Sequence, residues 1–160
     1  MRFEHIIEIN RPEDPRVVPL TRLELWRGLV LRAEQPELFM PQLDVCTIVE
    51  RSATSVTRRL AFGNLVIHDQ VRYHARHRVH IEVPEQGEIP PSALVMTIEE
   101  PQPERLFVRF AYEDSSPDEG PDAFYNDFRR SAWREADIDT IRTIREMVAT
   151  GRLSGPLQAG

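Results

Sequence analysis

The stretch that decides the fold is SVTRRLAFGNLVIHDQVRYH, residues 55–74. Apolar and polar residues alternate on both sides of Gly63-Asn64, as in two half-buried strands. A glycine at the first central position suits a two-residue type II′ turn. Phe62 then faces Leu65, and apolar residues meet apolar residues along the rest of the pair, which supports this register.

The same register places Arg58 directly opposite Asp69 on an otherwise apolar face. An arginine in a pocket would stay charged and offer several donors to a ligand carbonyl, phenolate or carboxylate. The structural alternative is a cross-strand ion pair whose charges only neutralise each other, since such pairs resemble functional ones. The sequence leaves both interpretations open.

More strands are predicted on either side of this hairpin. Alternation and turn residues place them at about 2–10, 43–51, 77–83, 93–100 and 105–113. The turn Pro101-Gln102-Pro103 would pair Met96 with Val108 on the apolar face. On the opposite face it would pair Glu99 with Arg105 as an exposed ion pair.

Two helical regions flank the strands. The first begins with a capping box, Thr21 and Glu24, and ends before Pro36, and a second short helix is expected near residues 38–40. Residues 122–150 contain no proline or glycine and predict one long helix. Its apolar stripe comprises Phe124, Phe128, Ile138, Ile141, Ile144 and Val148. A single helix is too narrow to fill a curved sheet, so we expect a cavity between them.

Composition indicates one soluble globular domain. The chain has 160 residues, of which 41% are apolar and 29% charged. We expect a single domain over residues 1–152 and a flexible tail over 153–160. All 20 basic residues are arginine, so the absence of lysine excludes Schiff-base chemistry, pyridoxal phosphate attachment and a P-loop.

Charge and cysteine content exclude further classes of function. The 26 acidic residues outweigh the arginines and give a net charge of −6, which argues against binding nucleic acid. Cys46 is alone, so no intrachain disulfide and no cysteine zinc site is expected. The N-terminal residues are charged and alternating, unlike a signal peptide, and no run is long enough to span a membrane. We therefore expect a cytoplasmic protein.

Several segments resemble one family. They are MRFEHIIEIN (1–10), LWRGLVLRAEQPELFMP (25–41), FGN (62–64), MTIEEPQPERLFVRFAYE (96–113) and FYNDFRRSAWREADIDTIRTIRE (124–146). Together they resemble the AtaL-like branch of the START and birch-pollen-allergen-like (SRPBCC) superfamily. The resemblance implies an α+β helix-grip fold, in which a curved seven-stranded antiparallel sheet wraps around a long C-terminal helix. It also implies two short helices between strands 1 and 2.

The resemblance implies three functions without selecting one. Superfamily members include lipid carriers, hormone receptors, polyketide cyclases and aromatases, and chaperone-activating modules. Our leading hypothesis is a carrier or sensor that binds a small hydrophobic or aromatic molecule in an internal cavity. The alternatives are a cyclase- or aromatase-like enzyme using the same cavity, and a protein-binding module. We expect no cofactor, and a homodimer is a candidate assembly.

The candidate ligand-binding residues are Arg58, Asp69, Tyr73, His77, Met96, Phe110, Tyr112, Trp26 and Phe128. By alternation, Tyr73, His77, Tyr112 and His5 share the apolar faces of their strands. They would orient a ligand or move a proton. The alternative is aromatic packing with polar tips in water. We expect Trp133, which lies off the helical stripe, to cover a sheet edge or a partner surface.

Two groups of polar residues are interpreted as non-functional. His77 and His80 point to opposite faces of a strand, so they cannot share a metal ion, and His74 would add only one ligand. We therefore expect no metal site. Asp137 and Asp139 diverge on a helix and are interpreted as part of a solvated face.

Overall fold

The computed structural model describes residues 1–154, which form one seven-stranded antiparallel sheet and two α-helices. The strands are β1 (Arg2–Glu8), β2 (Val45–Arg51), β3 (Ser55–Phe62), β4 (Leu65–His74), β5 (Arg78–Val83), β6 (Ser92–Gln102) and β7 (Arg105–Asp114). Their order in the sheet is β1-β7-β6-β5-β4-β3-β2. The architecture confirms the helix-grip fold. Of the expected flexible tail, residues 155–160 lie outside the described part of the chain.

The helices confirm the long C-terminal element and the capping box. Helix α1 (Arg22–Glu34) begins at Thr21, whose Oγ1 accepts a hydrogen bond from the Glu24 backbone at 3.0 Å while the Glu24 carboxylate accepts one from the Thr21 backbone at 2.8 Å. The expected second short helix is one 3-10 turn, Pro36–Leu38. Helix α2 (Pro121–Ala149) is the long helix. Neither α-helix is long and apolar enough to cross a membrane.

The register of the first hairpin is confirmed. Phe62 pairs with Leu65 and Arg58 pairs with Asp69. Gly63 has a φ of 59°, the positive value that a type II′ turn requires at its first central residue.

The register predicted for the second hairpin is wrong by two residues. Met96 pairs with Phe110, not with Val108, because the turn lies at Pro103-Glu104, between the paired residues Gln102 and Arg105, and the register shifts by one residue between Glu99 and Gln102. Pro101 lies in this irregular segment and has no backbone N–H for a ladder hydrogen bond. A shift of two residues keeps every side chain on its face, so the apolar face survives.

The outer-face ion pair changes accordingly. Glu99 is bound by Arg109, whose Nε donates to Glu99 Oε2 at 2.6 Å. Arg105 instead donates to Glu13, at 2.5 Å. The predicted Glu99–Arg105 pair is therefore wrong, although all of these residues remain on the outer side of the sheet.

The two helices cross at a glycine on the concave side of the sheet. A Cβ atom on Gly28 of α1 would lie 2.5 Å from Ile144 Cγ2 of α2, which is far inside van der Waals contact. Only glycine permits this approach. Leu25 and Leu29, on the same face of α1, are fully buried.

The apolar stripe predicted for α2 is correct at Ile141, Ile144 and the partly buried Val148, but it is wrong at Ile138, which is 48% exposed. Phe124 and Phe128 are 85% and 70% exposed, so the predicted position of Phe128 in the ligand site is wrong. The buried residues of the helix are Asn126, Asp137, Thr140, Ile141, Ile144 and Met147. In the N-terminal half of α2, the residues that face the sheet are mostly polar. The apolar residues of this half, such as Phe124 and Phe128, therefore lie on the outer face of the helix.

Candidate functional site

A buried carboxylate lies at the centre of the candidate site. Asp137 of α2 is 0% exposed. Its Oδ2 lies 2.7 Å from His5 Nε2 of β1, and the Tyr112 hydroxyl of β7 donates to it at 2.8 Å. The interpretation of Asp137 as a solvated residue is therefore wrong. His5 and Tyr112, by contrast, lie on the concave face as alternation predicted.

Burial controls the protonation of this cluster. Burial raises the pKa of Asp137, although the hydrogen bonds from His5 and Tyr112 act in the opposite direction. Burial and the neighbouring carboxylate both raise the pKa of the Tyr112 hydroxyl. Tyr112 is consequently a neutral hydrogen-bond donor at physiological pH.

An aromatic stack covers the cluster on the side of β1, an edge strand. The rings of Trp133 and Tyr112 are parallel, with centroids 4.2 Å apart, and Phe3 lies 6.0 Å from Trp133. The Arg129 guanidinium lies 4.8 Å above the Trp133 ring. Trp133 thus covers a sheet edge, one of the two roles expected for it.

A pocket opens beside this stack, between the concave face and the N-terminal half of α2. It has a volume of about 220 Å³. Its apolar lining includes Ile81, Leu94, Tyr112 and Trp133. Its polar lining is Ser92, Glu113, Asp114 and Arg129, and the last two form an ion pair. Tyr112 therefore belongs both to the pocket wall and to the buried cluster.

Arg58 and Asp69 form a buried bidentate ion pair. Arg58 Nε and Nη2 donate to the two carboxylate oxygens of Asp69 at 2.8 and 2.5 Å. The third nitrogen, Nη1, donates to the Ala33 carbonyl at the end of α1 at 2.7 Å. Each guanidinium nitrogen thus already has a protein acceptor, which favours the structural interpretation of the pair.

Tyr73 is likewise engaged with the end of α1. Its hydroxyl donates to Glu34 at 2.7 Å, and Arg51 binds the same carboxylate at 2.7 Å. Its ring meets Trp26 edge to face, with centroids 6.2 Å apart. Burial and the hydrogen bond to Glu34 raise the pKa of Tyr73.

Arg32 is the polar residue that sequence reasoning missed on α1. Its Nε is buried and has no hydrogen-bond partner, whereas the side chain as a whole keeps some accessible surface. Burial lowers the pKa of Arg32, and so does the neighbouring Arg58 cation, whereas Tyr112, Asp137 and Asp69 act in the opposite direction. Its place one turn after the buried Leu29 is the signal that could have identified it.

The remaining candidate residues fall into two groups. Trp26, Met96 and Phe110 are fully buried in the hydrophobic core. His77 is exposed in the turn before β5, where its backbone N–H donates to the His74 carbonyl at 2.9 Å. The expectation that His77 lies on the apolar face of a strand is therefore wrong.

The model of the AtaL family, described as acetylaranotin biosynthesis cluster protein L, matches residues 7–151. The chain belongs to the AtaL family. This AtaL-family chain has no match among curated proteins.

Several solved structures share the fold of the AtaL-family chain. The Zhui aromatase/cyclase from Streptomyces sp. R1128 is 11% identical, with a TM-score of 0.65 and coverage of 98% of this chain and 99% of that one. Human STARD10 is 8% identical, with a TM-score of 0.65 and coverage of 94% and 66%. Ara h 8.0201 is 12% identical, with a TM-score of 0.54 and coverage of 94% and 98%. At these identities the likeness establishes the fold alone.

Proposed function

We propose that this protein is a carrier or sensor that binds a small apolar or aromatic molecule between the concave face of the sheet and α2. The observation that carries the proposal is the buried cluster of Asp137, His5 and Tyr112 beside an aromatic-walled pocket. A pocket with apolar walls and a few convergent polar groups is the usual form of a small-molecule site.

The energetic cost of the cluster supports a functional role. Taking a carboxylate out of water costs several kcal/mol of folding free energy. Replacing buried ionic groups by well-packed apolar residues often leaves the stability of a protein unchanged or increases it. The sheet and α2 already share an apolar core around Ile141 and Ile144. Asp137 is therefore not needed to hold α2 on the sheet, and ligand recognition is a better reason for it.

The pocket limits the size of the molecule. Its volume of about 220 Å³ is below the range of about 300–1,000 Å³ that drug-sized ligands occupy. A compact aromatic body of two or three rings would fill it, beside Trp133 and Leu94. A longer molecule would require α2 to move away from the sheet.

The aromatase- or cyclase-like alternative has less support. A general acid or base needs a pKa near the working pH, whereas burial raises that of Tyr112 far above it. The Tyr112 hydroxyl is also already committed to Asp137. The similar fold of an aromatase/cyclase supports an aromatic or polyketide-like ligand for this chain. It gives less support to the proposal that this chain catalyses an aromatase or cyclase reaction.

The protein-binding alternative rests on a different surface. Phe124, Tyr125 and Phe128 are exposed on the outer side of α2. Exposed aromatic residues grouped in this way are typical of an interaction site. Phe124→Asp with Phe128→Asp should abolish any self-association detected by analytical ultracentrifugation. Self-association that survives both changes would remove this support.

A matched pair of substitutions tests the proposed ligand site. Leu94 faces the pocket, whereas Val95 next to it faces the opposite side of β6. Leu94→Trp should fill the pocket and weaken binding of the fluorescent probe N-phenyl-1-naphthylamine by about tenfold or more. Val95→Trp should leave the affinity within about twofold. Equal affinity for all three proteins would contradict the proposed site.

A further inference from the structure

We propose that the bound molecule carries an acidic oxygen group, such as a carboxylate, and that Arg32 binds it. The inference rests on the ligand-binding function proposed above and names the chemical class of the ligand. An apolar body would occupy the pocket beside Trp133, and its acidic group would reach the guanidinium.

The position of Arg32 on α1 points its side chain inward. Leu25, Gly28 and Leu29 precede it by seven, four and three residues, so all four residues share one face of the helix. That face is buried, and at Gly28 it contacts Ile144 of α2. Arg32 lies one turn beyond this contact, toward the C-terminal end of α1.

Arg32 differs from the other arginines near this end of α1 in lacking an acceptor. Arg51 and Arg58 each hold a carboxylate bidentately, Glu34 and Asp69 respectively. Within residues 1–154, Arg32 makes no such pair, and its Nε is buried without a hydrogen-bond partner. A buried donor without an acceptor is costly, and a ligand oxygen would remove that cost.

The nearby carboxylates are already occupied. Asp69 accepts two hydrogen bonds from Arg58, and Asp137 accepts from Tyr112 and contacts His5. The C-terminal end of α1 favours a cation in its last turn, but it supplies no acceptor to Nε. In the described part of the chain, Arg27 and Arg32 each have a buried Nε without a partner, but Arg27 already donates through Nη1 to the Leu153 carbonyl.

The guanidinium and the pocket are linked through Tyr112. Tyr112 lines the pocket and donates to Asp137, and the Asp137 carboxylate is one of the groups that oppose the effect of burial on the pKa of Arg32. A forked guanidinium suits an anion with two or three equivalent oxygens. A carboxylate or sulfonate attached to an aromatic body meets both requirements.

Two fluorescent probes of almost the same skeleton test the proposal. 1-Anilinonaphthalene-8-sulfonate carries an anionic group that N-phenyl-1-naphthylamine lacks. Arg32→Gln should weaken binding of the sulfonate about 10- to 100-fold, the loss expected for a charge-assisted hydrogen bond in a buried site. Its affinity for the uncharged probe should change by less than about twofold.

The control is another arginine of the same helix. Arg22 pairs at the surface with Glu100, and Arg22→Gln should alter neither affinity. Arg32→Met should reproduce the selective loss seen with Arg32→Gln. Near-ultraviolet circular dichroism checks that each variant is folded, since the sulfonate probe also binds partly unfolded chains.

The outcomes separate the inference from the function on which it rests. Suppose that the wild-type chain binds both probes and that Arg32→Gln weakens binding of neither probe, or of both equally. Arg32 then does not bind the acidic group, but the proposed ligand pocket is retained. If the wild-type chain binds neither probe, the proposed function fails and this inference fails with it. Only a selective loss of the sulfonate supports Arg32 as the anion-binding residue.

Discussion

Tyr112 of β7 and Asp137 of α2 are joined by a hydrogen bond of 2.8 Å across the interior of the fold. Only this tyrosine and His5 bind the Asp137 carboxylate among the residues that the structure describes. The bond links the middle of α2 to β7 near the edge of the pocket.

Tyr112→Phe should lower the free energy of unfolding by about 1–3 kcal/mol, because Asp137 loses a buried donor while the aromatic stack on Trp133 remains. Urea unfolding followed by circular dichroism measures this change. Tyr125→Phe, at an exposed position of α2, is the control and should change the free energy by less than about 0.5 kcal/mol. Equal effects of the two substitutions would mean that the bond to Asp137 contributes nothing.

Asp137→Asn should change how stability depends on pH. Burial raises the folded-state pKa of Asp137 above its unfolded value. Its contribution to stability is therefore fully present below the unfolded pKa, about 4, and is lost as pH rises through the folded pKa. The free energy of unfolding of the wild type, measured relative to Asp137→Asn, should fall as pH rises above about 4.

The control for this prediction is the exposed Asp139, two residues away. The free energy of the wild type relative to Asp139→Asn should stay nearly constant over the same pH range, because Asp139 pairs with Arg142 at the surface. A constant difference for Asp137→Asn as well would contradict the raised pKa.

Breaking the Arg58–Asp69 pair at one partner should be severe. Arg58→Met leaves the Asp69 carboxylate buried without its two hydrogen bonds and should cost about 3–5 kcal/mol in free energy of unfolding. The double variant Arg58→Met with Asp69→Leu should recover much of this loss, because no unpaired charge remains buried. Urea denaturation of the two single variants and the double variant measures the coupling. Additive losses would show that the two residues act independently.

Gly28→Ala should destabilise the helix crossing. The new Cβ would meet Ile144 Cγ2 at 2.5 Å, and overpacking of this kind costs about 1–3 kcal/mol. Ile144→Ala removes the opposing atoms, so adding Gly28→Ala to it should cost little more. Thermal unfolding of the three variants compares these effects. A Gly28→Ala chain as stable as the wild type would mean that the helices can separate freely at this point.

Alternation and turn chemistry were sufficient to predict the sheet. The turn at Gly63-Asn64 fixed the β3–β4 register, and with it the Arg58–Asp69 pair. The β6–β7 register was predicted wrongly because the turn lies at Pro103-Glu104, and not at residues 101–103, and because a one-residue irregularity follows Glu99. The predicted register was wrong by two residues, so the cross-strand partners were wrong, but each side chain was placed on the correct face of the sheet.

Helix periodicity failed where the inward residues are polar. The stripe of α2 was assigned from apolar residues, so Phe128 was placed inside and Asp137 outside, the reverse of what the fold contains. Arg32 was missed for the same reason on α1. Spacing from Ile141 and Ile144 would have placed Asp137 on the inner face, and spacing from Leu25 and Leu29 would have done the same for Arg32. The charge of both residues argued against an inward position, because a charged group is expected to be buried only where it is compensated.

The central claim, that the interior binds one small molecule, is tested most directly by native mass spectrometry of the intact chain with N-phenyl-1-naphthylamine. We expect a one-to-one complex for the wild type and for Val95→Trp, and the mass of the bare chain for Leu94→Trp. A wild-type chain that retains no probe, or that takes up several copies without a fixed ratio, would contradict the claim.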